Sequence, residues 1–170
     1  MRRIALLLPC LFMLLAPAGA SAGSRFAYDI PELVEKPLVA VKKGTDIPVL
    51  LPSRMTTEFK KLYSAGRGRK TRYKFEIGAV RNCHSATACF VAEFRGRQGG
   101  HASGKRKVKL AHGRTGWFTP TRCGASCASP GIEWEQDGVL YELEAKLGTK
   151  NTERRILTRL ANSAIRGGAR

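Results

Sequence analysis

The stretch "GIEWEQDGVLYELEAKL", residues 131–147, alternates apolar and acidic side chains on both sides of Asp137-Gly138. A period of two marks a strand with one buried and one wet face. Asp-Gly tolerates the positive φ angles of a two-residue turn, so the stretch reads as a β-hairpin. Ile132 and Trp134 share a face with Val139, Tyr141, Leu143 and Ala145, and Glu133, Glu135, Glu142 and Glu144 fall on the other. A lone hairpin is marginal in water, so its apolar face needs further strands and a cover.

Both are visible nearby. Tyr73, Phe75 and Ile77 alternate with Arg72, Lys74 and Glu76, and "CFVAEFRGR" (89–97) brings Phe90, Ala92 and Phe94 to one face. Val108 and Leu110 alternate with Lys107 and Lys109, and "GWFTPT" (116–121) reads as a further strand. "NTERRILTRLANSAIRGG" (151–168) is a helix by local rules: Asn151 or Thr152 at the cap, Glu153 in the first turn, Gly167-Gly168 as the stop. Its stripe of Ile156, Leu157, Leu160, Ala161, Ala164 and Ile165 matches the apolar face of a sheet. The expected fold class is α+β, an antiparallel sheet of about five or six strands covered on one face by the C-terminal helix.

Toward the N-terminus the pattern weakens. "DIPVLLPSRM" (46–55) is a short apolar run bounded by Pro48 and Pro52, suited to an edge strand or a strand entry, and "SAGRGRKTR" (64–72) reads as a Gly-rich basic loop. Residues 23–45 read as a loosely ordered arm with a helical turn or two, which Pro37 should break. Residues 1–22 carry Arg2 and Arg3, an apolar run from Ile4 to about Ala16 and the small residues Ala20-Ser21-Ala22, the pattern of an export signal cleaved before Gly23. The run is too short for a membrane span of about 20 apolar residues, so no transmembrane segment is expected in the mature chain, and the location is periplasmic or extracellular. The expected organisation is a signal peptide at 1–22, the arm at 23–45 and one disulfide-stapled domain at 46–170.

Without the leader the chain has 28 basic and 13 acidic residues, and residues 54–114 hold 16 Lys and Arg against Glu58, Glu76 and Glu93. Such a field attracts anionic polymers and lipid head groups, although charge also serves solubility alone. The candidate anion-binding residues are Arg67, Arg69, Lys70 and Arg72 in one basic run, and Lys105, Arg106, Lys107, Lys109 and Arg114 in another. Trp117, flanked by Arg114 and Arg122, is a candidate aromatic contact, with burial in the core as the plainer alternative.

Four cysteines remain after the leader, in "CHSATAC" (83–89) and "CGASC" (123–127). An even count in an exported chain points to two disulfides. Cys83 with Cys89 and Cys123 with Cys127 is the pairing favoured by proximity, each short loop contributing roughly 2 kcal/mol, whereas nested pairing would contribute roughly 4 each. Zinc ligation with His84, His101 or His112, a redox pair and a nucleophilic cysteine all fit the spacing, compartment and even count less well. No metal or cofactor is expected. Glu133 and Glu142, with Glu135 and Glu144, are the only carboxylates that suggest hydrolysis, and their alternative use is pairing with Arg72 and Lys74 across strands.

"CGASCASPGIEWEQDGVLYELEAKL" (123–147), "LTRLANSAIRGG" (157–168) and "IPVLLPSRM" (47–55) together resemble a family of uncharacterised exported bacterial proteins. The resemblance implies an envelope or secreted location and a sheet-and-helix domain, and it implies no activity. The functional expectation is a non-enzymatic exported domain that binds an anionic partner through basic loops. An envelope hydrolase using a glutamate pair, or a module that binds another exported protein, stands as the alternative.

Overall fold

The structure is a computed structural model that describes residues 25–170, and the expected leader at 1–22 lies outside the described residues. The chain opens with β1 (Phe26–Asp29), α1 (Ile30–Leu33), α2 (Glu35–Gly44) and β2 (Arg54–Thr57). β3 (Tyr63–Arg69), β4 (Arg72–Gly78), β5 (Phe90–Gln98), β6 (Arg106–Lys109) and β7 (Thr115–Thr119) follow. A small β8 (Arg122–Cys123) and β9 (Cys127–Ala128) precede β10 (Gly131–Gln136), β11 (Val139–Ala145) and α3 (Glu153–Gly167).

The hairpin of β10 and β11 sits inside a seven-stranded antiparallel sheet ordered β3-β4-β5-β11-β10-β7-β6. Asp137 and Gly138 both have positive φ, as the two-residue turn requires. The sheet therefore has seven strands, not five or six. The strand missed in the sequence is β3, read above as a loop because of Gly66 and Gly68. Those glycines answer a packing demand: a Cβ on Gly68 would stand 2.2 Å from the Val41 carbonyl oxygen, and one on Gly66 2.9 Å from the Val41 side chain. Only glycine lets α2 lie that close to β3.

Tyr73, Phe75, Ile77, Phe94, Ile132, Trp134, Tyr141 and Leu143 form the sheet's contribution to the core, which Leu157, Leu160, Ala161, Ala164 and Ile165 of α3 share. The 23–45 segment is not a loose arm over its described part: Ile30, Val34 and Val41 are completely buried in the same core. Pro37 leaves the Leu33 carbonyl without its helical donor, and the helix breaks at Val34 between α1 and α2. The Ser64 hydroxyl on β3 donates to that carbonyl at 2.7 Å instead.

Residues 46–52 are not themselves a strand but lead into β2, which starts at Arg54, so the segment is a strand entry. Leu50 makes one bridge, to Ala169, and the segment is held by two tyrosines of the sheet. The Tyr73 hydroxyl donates to the Leu50 carbonyl at 3.2 Å and accepts its N–H at 3.1 Å, and the Tyr141 hydroxyl donates to the Pro48 carbonyl at 3.0 Å. Burial drives both phenols above the ordinary tyrosine range, Tyr141 to about 12 with the Asp137 carboxylate adding to the rise. No helix among the described residues is long and apolar enough to cross a membrane.

Candidate anion-binding face

Alternation places every second residue of the sheet on the face opposite the core, and there most of the side chains are charged. One row runs in register across all seven strands: Arg67, Lys74, Arg95, Glu142, Glu133, Trp117 and Lys107. On one side of it Glu76, Glu93 and Glu144 stand abreast on β4, β5 and β11. On the other side Arg69, Arg72 and Arg97 stand abreast on β3, β4 and β5.

Lys74 and Arg95 are consumed by the glutamates. Glu93, almost wholly buried, takes Lys74 Nζ at 2.6 Å and Arg95 Nε at 3.1 Å. Arg95 also reaches Glu142 at 3.1 Å and Glu144 at 2.6 Å, while Lys74 lies 3.4 Å from Glu76. Burial alone would lower the Lys74 ammonium, but Glu93 and Glu76 outweigh it and hold its pKa above the usual value. Burial raises the Glu144 carboxyl, Arg95 opposes the rise, and the neighbouring Glu93 and Glu142 carboxylates reinforce it. Glu76 goes the other way: the Ser85 N–H and hydroxyl, together with Lys74, overcome burial and hold it below the usual range.

Arg67, Arg69, Arg72 and Arg97 are different. Each is exposed, and among the described residues none makes an ion pair. All four line a groove of about 1050 Å³ across β3, β4 and β5, walled by residues 80–85. The wall belongs to the connection between β4 and β5, which the Cys83–Cys89 disulfide braces and in which Asn82, His84 and Ser85 all have positive φ. Non-glycine residues rarely adopt that conformation. The bridge and the Ser85 hydrogen bonds to Glu76 hold them there. Arg81 on the same wall stacks over Tyr63, 5.4 Å from the ring centroid.

The remaining half of the face is crossed by the chain itself. Residues 99–105 carry it from the end of β5 over β11, β10 and β7 to the far edge strand β6, because those two strands are not neighbours. Glu133 accepts the Ser103 N–H at 2.8 Å and Glu135 the Ala102 N–H at 2.9 Å, fastening this strap to the sheet. A Cβ on Gly104 would stand 2.6 Å from the Trp117 carbonyl carbon, so the strap's glycine content again serves close approach. Leu140 points to this face yet is buried, as the overlying strap requires.

The two basic runs therefore separate. Arg67, Arg69 and Arg72 lie in the groove with Lys74, Arg95 and Arg97, and Lys70 occupies the turn at its end. Lys105, Arg106, Lys107, Lys109 and Arg114 belong to the opposite edge, and none lines the groove. On that edge strand Lys107 and Lys109 also act against edge-to-edge pairing. Trp117 is half-buried on the polar face with Lys107 Nζ 5.0 Å above its ring, and its neighbour Phe118 enters the core. Arg97, Arg95 and Lys74 were legible as residues alternating with Phe94, Phe75 and Tyr73. Their partnering was not.

Cys123 is bonded to Cys127, closing the β8–β9 turn beside a second depression of about 650 Å³. That depression adjoins the groove through Lys74, Ser85, Arg95 and Glu142, and it holds Glu93, Glu133, Glu142 and Glu144. Glu133 faces Glu142 in register, but the strap occupies the first and Arg95 the second. Both carboxyl groups also line the depression. Among the described residues no cluster of three or more His, Cys, Asp or Glu is placed to hold a metal ion. Comparisons with protein-family models, with curated proteins and with solved structures find no match to this chain.

Proposed function

We propose that this protein is an exported, non-enzymatic domain that binds an anionic envelope or extracellular partner, and that the arginines of the β3–β5 groove make the contact. One observation carries the reading: Lys74 and Arg95 are saturated by glutamates, whereas four arginines beside them face an open groove with no carboxylate partner. Like charges directly opposed across strands are destabilising, so a row of Arg69, Arg72 and Arg97 is a standing cost that a bound anion removes. Guanidinium forks suit phosphate, sulfate and carboxylate, which two parallel N–H donors can grip at once. The leader pattern and the two disulfides support the exported location.

The test is retention on immobilised heparin or phosphocellulose with a rising salt gradient. The double variant Arg72→Gln/Arg97→Gln is expected to elute at clearly lower salt than the wild type, and Lys107→Gln/Lys109→Gln close to it. Retention that salt does not weaken, or equal losses in the two variants, would reject the groove as the binding site.

A further inference from the structure

The groove also constrains the shape of the anion, an inference that rests on the anion-binding reading above. We infer that its ligand presents a compact terminal group carrying two or three negative charges, such as clustered phosphates or carboxylates, and that a polyanion does not run through the site. The four arginines occupy three adjacent strands and two successive outward positions of β3. At the usual strand spacing and rise this is a patch of about 10 by 7 Å, room for two or three tetrahedral anions.

Beyond the patch the charge reverses. The row that starts at Arg67 and Lys74 continues through Arg95 to Glu142 and Glu133, and the adjoining depression holds four glutamates. On the far side the strap comes down on the floor: a Cβ on Gly100 would stand 2.9 Å from the Arg97 guanidinium carbon. A polymer with evenly spaced negative charge that ran from the patch toward β11 and β10 would have to lay its next charges over carboxylates or lift off. A chain end, or a head group entering across the β3 edge, meets Arg67, Arg69, Arg72 and Arg97, with Arg81, Lys74 and Glu76 also lining the groove.

The floor is also held rigid, as a site selective for a compact group must be. In the turn between β3 and β4 the Lys70 carbonyl accepts the Asp46 N–H at 3.0 Å, and the Thr71 carbonyl accepts the Gln98 N–H at 2.9 Å.

The experiment is calorimetric titration of the protein with inorganic tripolyphosphate and with long-chain polyphosphate, plus sedimentation with phosphatidylcholine vesicles that contain phosphatidic acid. Tripolyphosphate is expected to bind at one site per chain. Long polyphosphate should gain no more than a few-fold per chain end, and its log K should fall against log salt with a slope of about −2 to −4, as for three or four contacts. Vesicle binding that tripolyphosphate displaces would identify a lipid head group as the source, and tripolyphosphate binding without vesicle binding a soluble one; both outcomes uphold the inference. Affinity that climbs with polymer length at a slope steeper than about −6, or vesicle binding that tripolyphosphate does not displace, would overturn it and leave arginine-dependent binding standing. Failure of every probe to respond to Arg72→Gln/Arg97→Gln would instead overturn the anion-binding reading itself.

Discussion

Arg72 on β4 and Arg97 on β5 stand directly opposite each other, with Arg69 in register on the next strand, and neither arginine of the pair has a carboxylate partner among the described residues. Opposed like charges in a sheet are unfavourable, on a scale of roughly 0.2–1 kcal/mol per cross-strand pair. Arg72→Gln is therefore expected to leave stability in urea unchanged or to raise it by up to about 0.5 kcal/mol. Added tripolyphosphate should stabilise the wild type more than the variant, because a ligand that binds only the folded state adds its binding free energy to folding. A variant that loses more than about 1 kcal/mol would mean that Arg72 has a structural partner.

Lys74 predicts the opposite behaviour. Its ammonium lies 2.6 Å from a Glu93 carboxylate whose side chain is only 7% exposed, so truncation strands part of a buried charge. Arg95 still holds the other oxygen of Glu93, which limits the damage. Lys74→Ala is expected to cost about 1–3 kcal/mol in urea unfolding, and the double variant Lys74→Met/Glu93→Met clearly less than the sum of the single losses. Additive losses would show that the two side chains do not act as a pair.

The hairpin at 131–145 and the helix at 153–167 were legible because each satisfies local rules and global patterning at once: the Asp137-Gly138 turn sits between alternating strands, and the apolar stripe is continuous at helical spacing. The strand at 63–69 was not, since glycine signals looseness locally and close packing only when the partner, here Val41, is known. Pro37 likewise predicted a break, and the break is there, but the rescue of the Leu33 carbonyl by Ser64 depends on a contact 31 residues away. The charge of the face was readable from alternation. Which cations are spent on glutamates depends on strand order, and the placement of β11 beside β5 is a long-range fact.

The acid side of the stability curve should be shaped by Glu76. Its pKa is held below the ordinary glutamate value, so its contribution is present above the unfolded-state value and is lost as the pH falls through the folded one. Glu144 is raised and acts in reverse, its contribution fading as the pH rises through the glutamate range. Glu76→Gln should therefore cost roughly 1–2 kcal/mol at neutral pH, a gap that narrows as the pH drops past the lowered Glu76 value. Glu144→Gln should show its smallest penalty at neutral pH. Urea midpoints measured along a pH series check both, and a Glu76→Gln penalty that persists unchanged in acid would refute the assignment.

The packing of α2 on β3 can be tested at one atom. A methyl group at Gly68 would stand 2.2 Å from the Val41 carbonyl oxygen, and this is backbone on both sides, so no side chain can move to admit it. Gly68→Ala is expected to destabilise by about 1–3 kcal/mol, in the range of overpacked cores. Gly99→Ala meets no atom within 4 Å but has a φ of 68°, so its loss should come only from backbone strain, at roughly 1–2 kcal/mol. Amide exchange separates the two: Gly68→Ala should accelerate exchange throughout α2, and Gly99→Ala should leave α2 as it is.

The strap over the acidic half of the face hangs on two carboxylates. Glu133 and Glu135 accept the N–H groups of Ser103 and Ala102, and both bonds are charge-assisted and exposed at one end to solvent. Removing the acceptors in Glu133→Ala/Glu135→Ala takes away interactions worth about 1.5–3 kcal/mol each when fully formed, less where water competes. Exchange at Ala102 and Ser103 is expected to rise at least about tenfold, while amides of β4, β5 and β11 keep their protection. Because Arg97 lies beneath Gly100, freeing the strap also uncovers one edge of the arginine patch, and tripolyphosphate should bind the double variant at least as tightly as the wild type. Loss of binding in that variant, with the core intact by exchange, would show that the glutamates or the strap they hold contribute to the site and do not merely bound it.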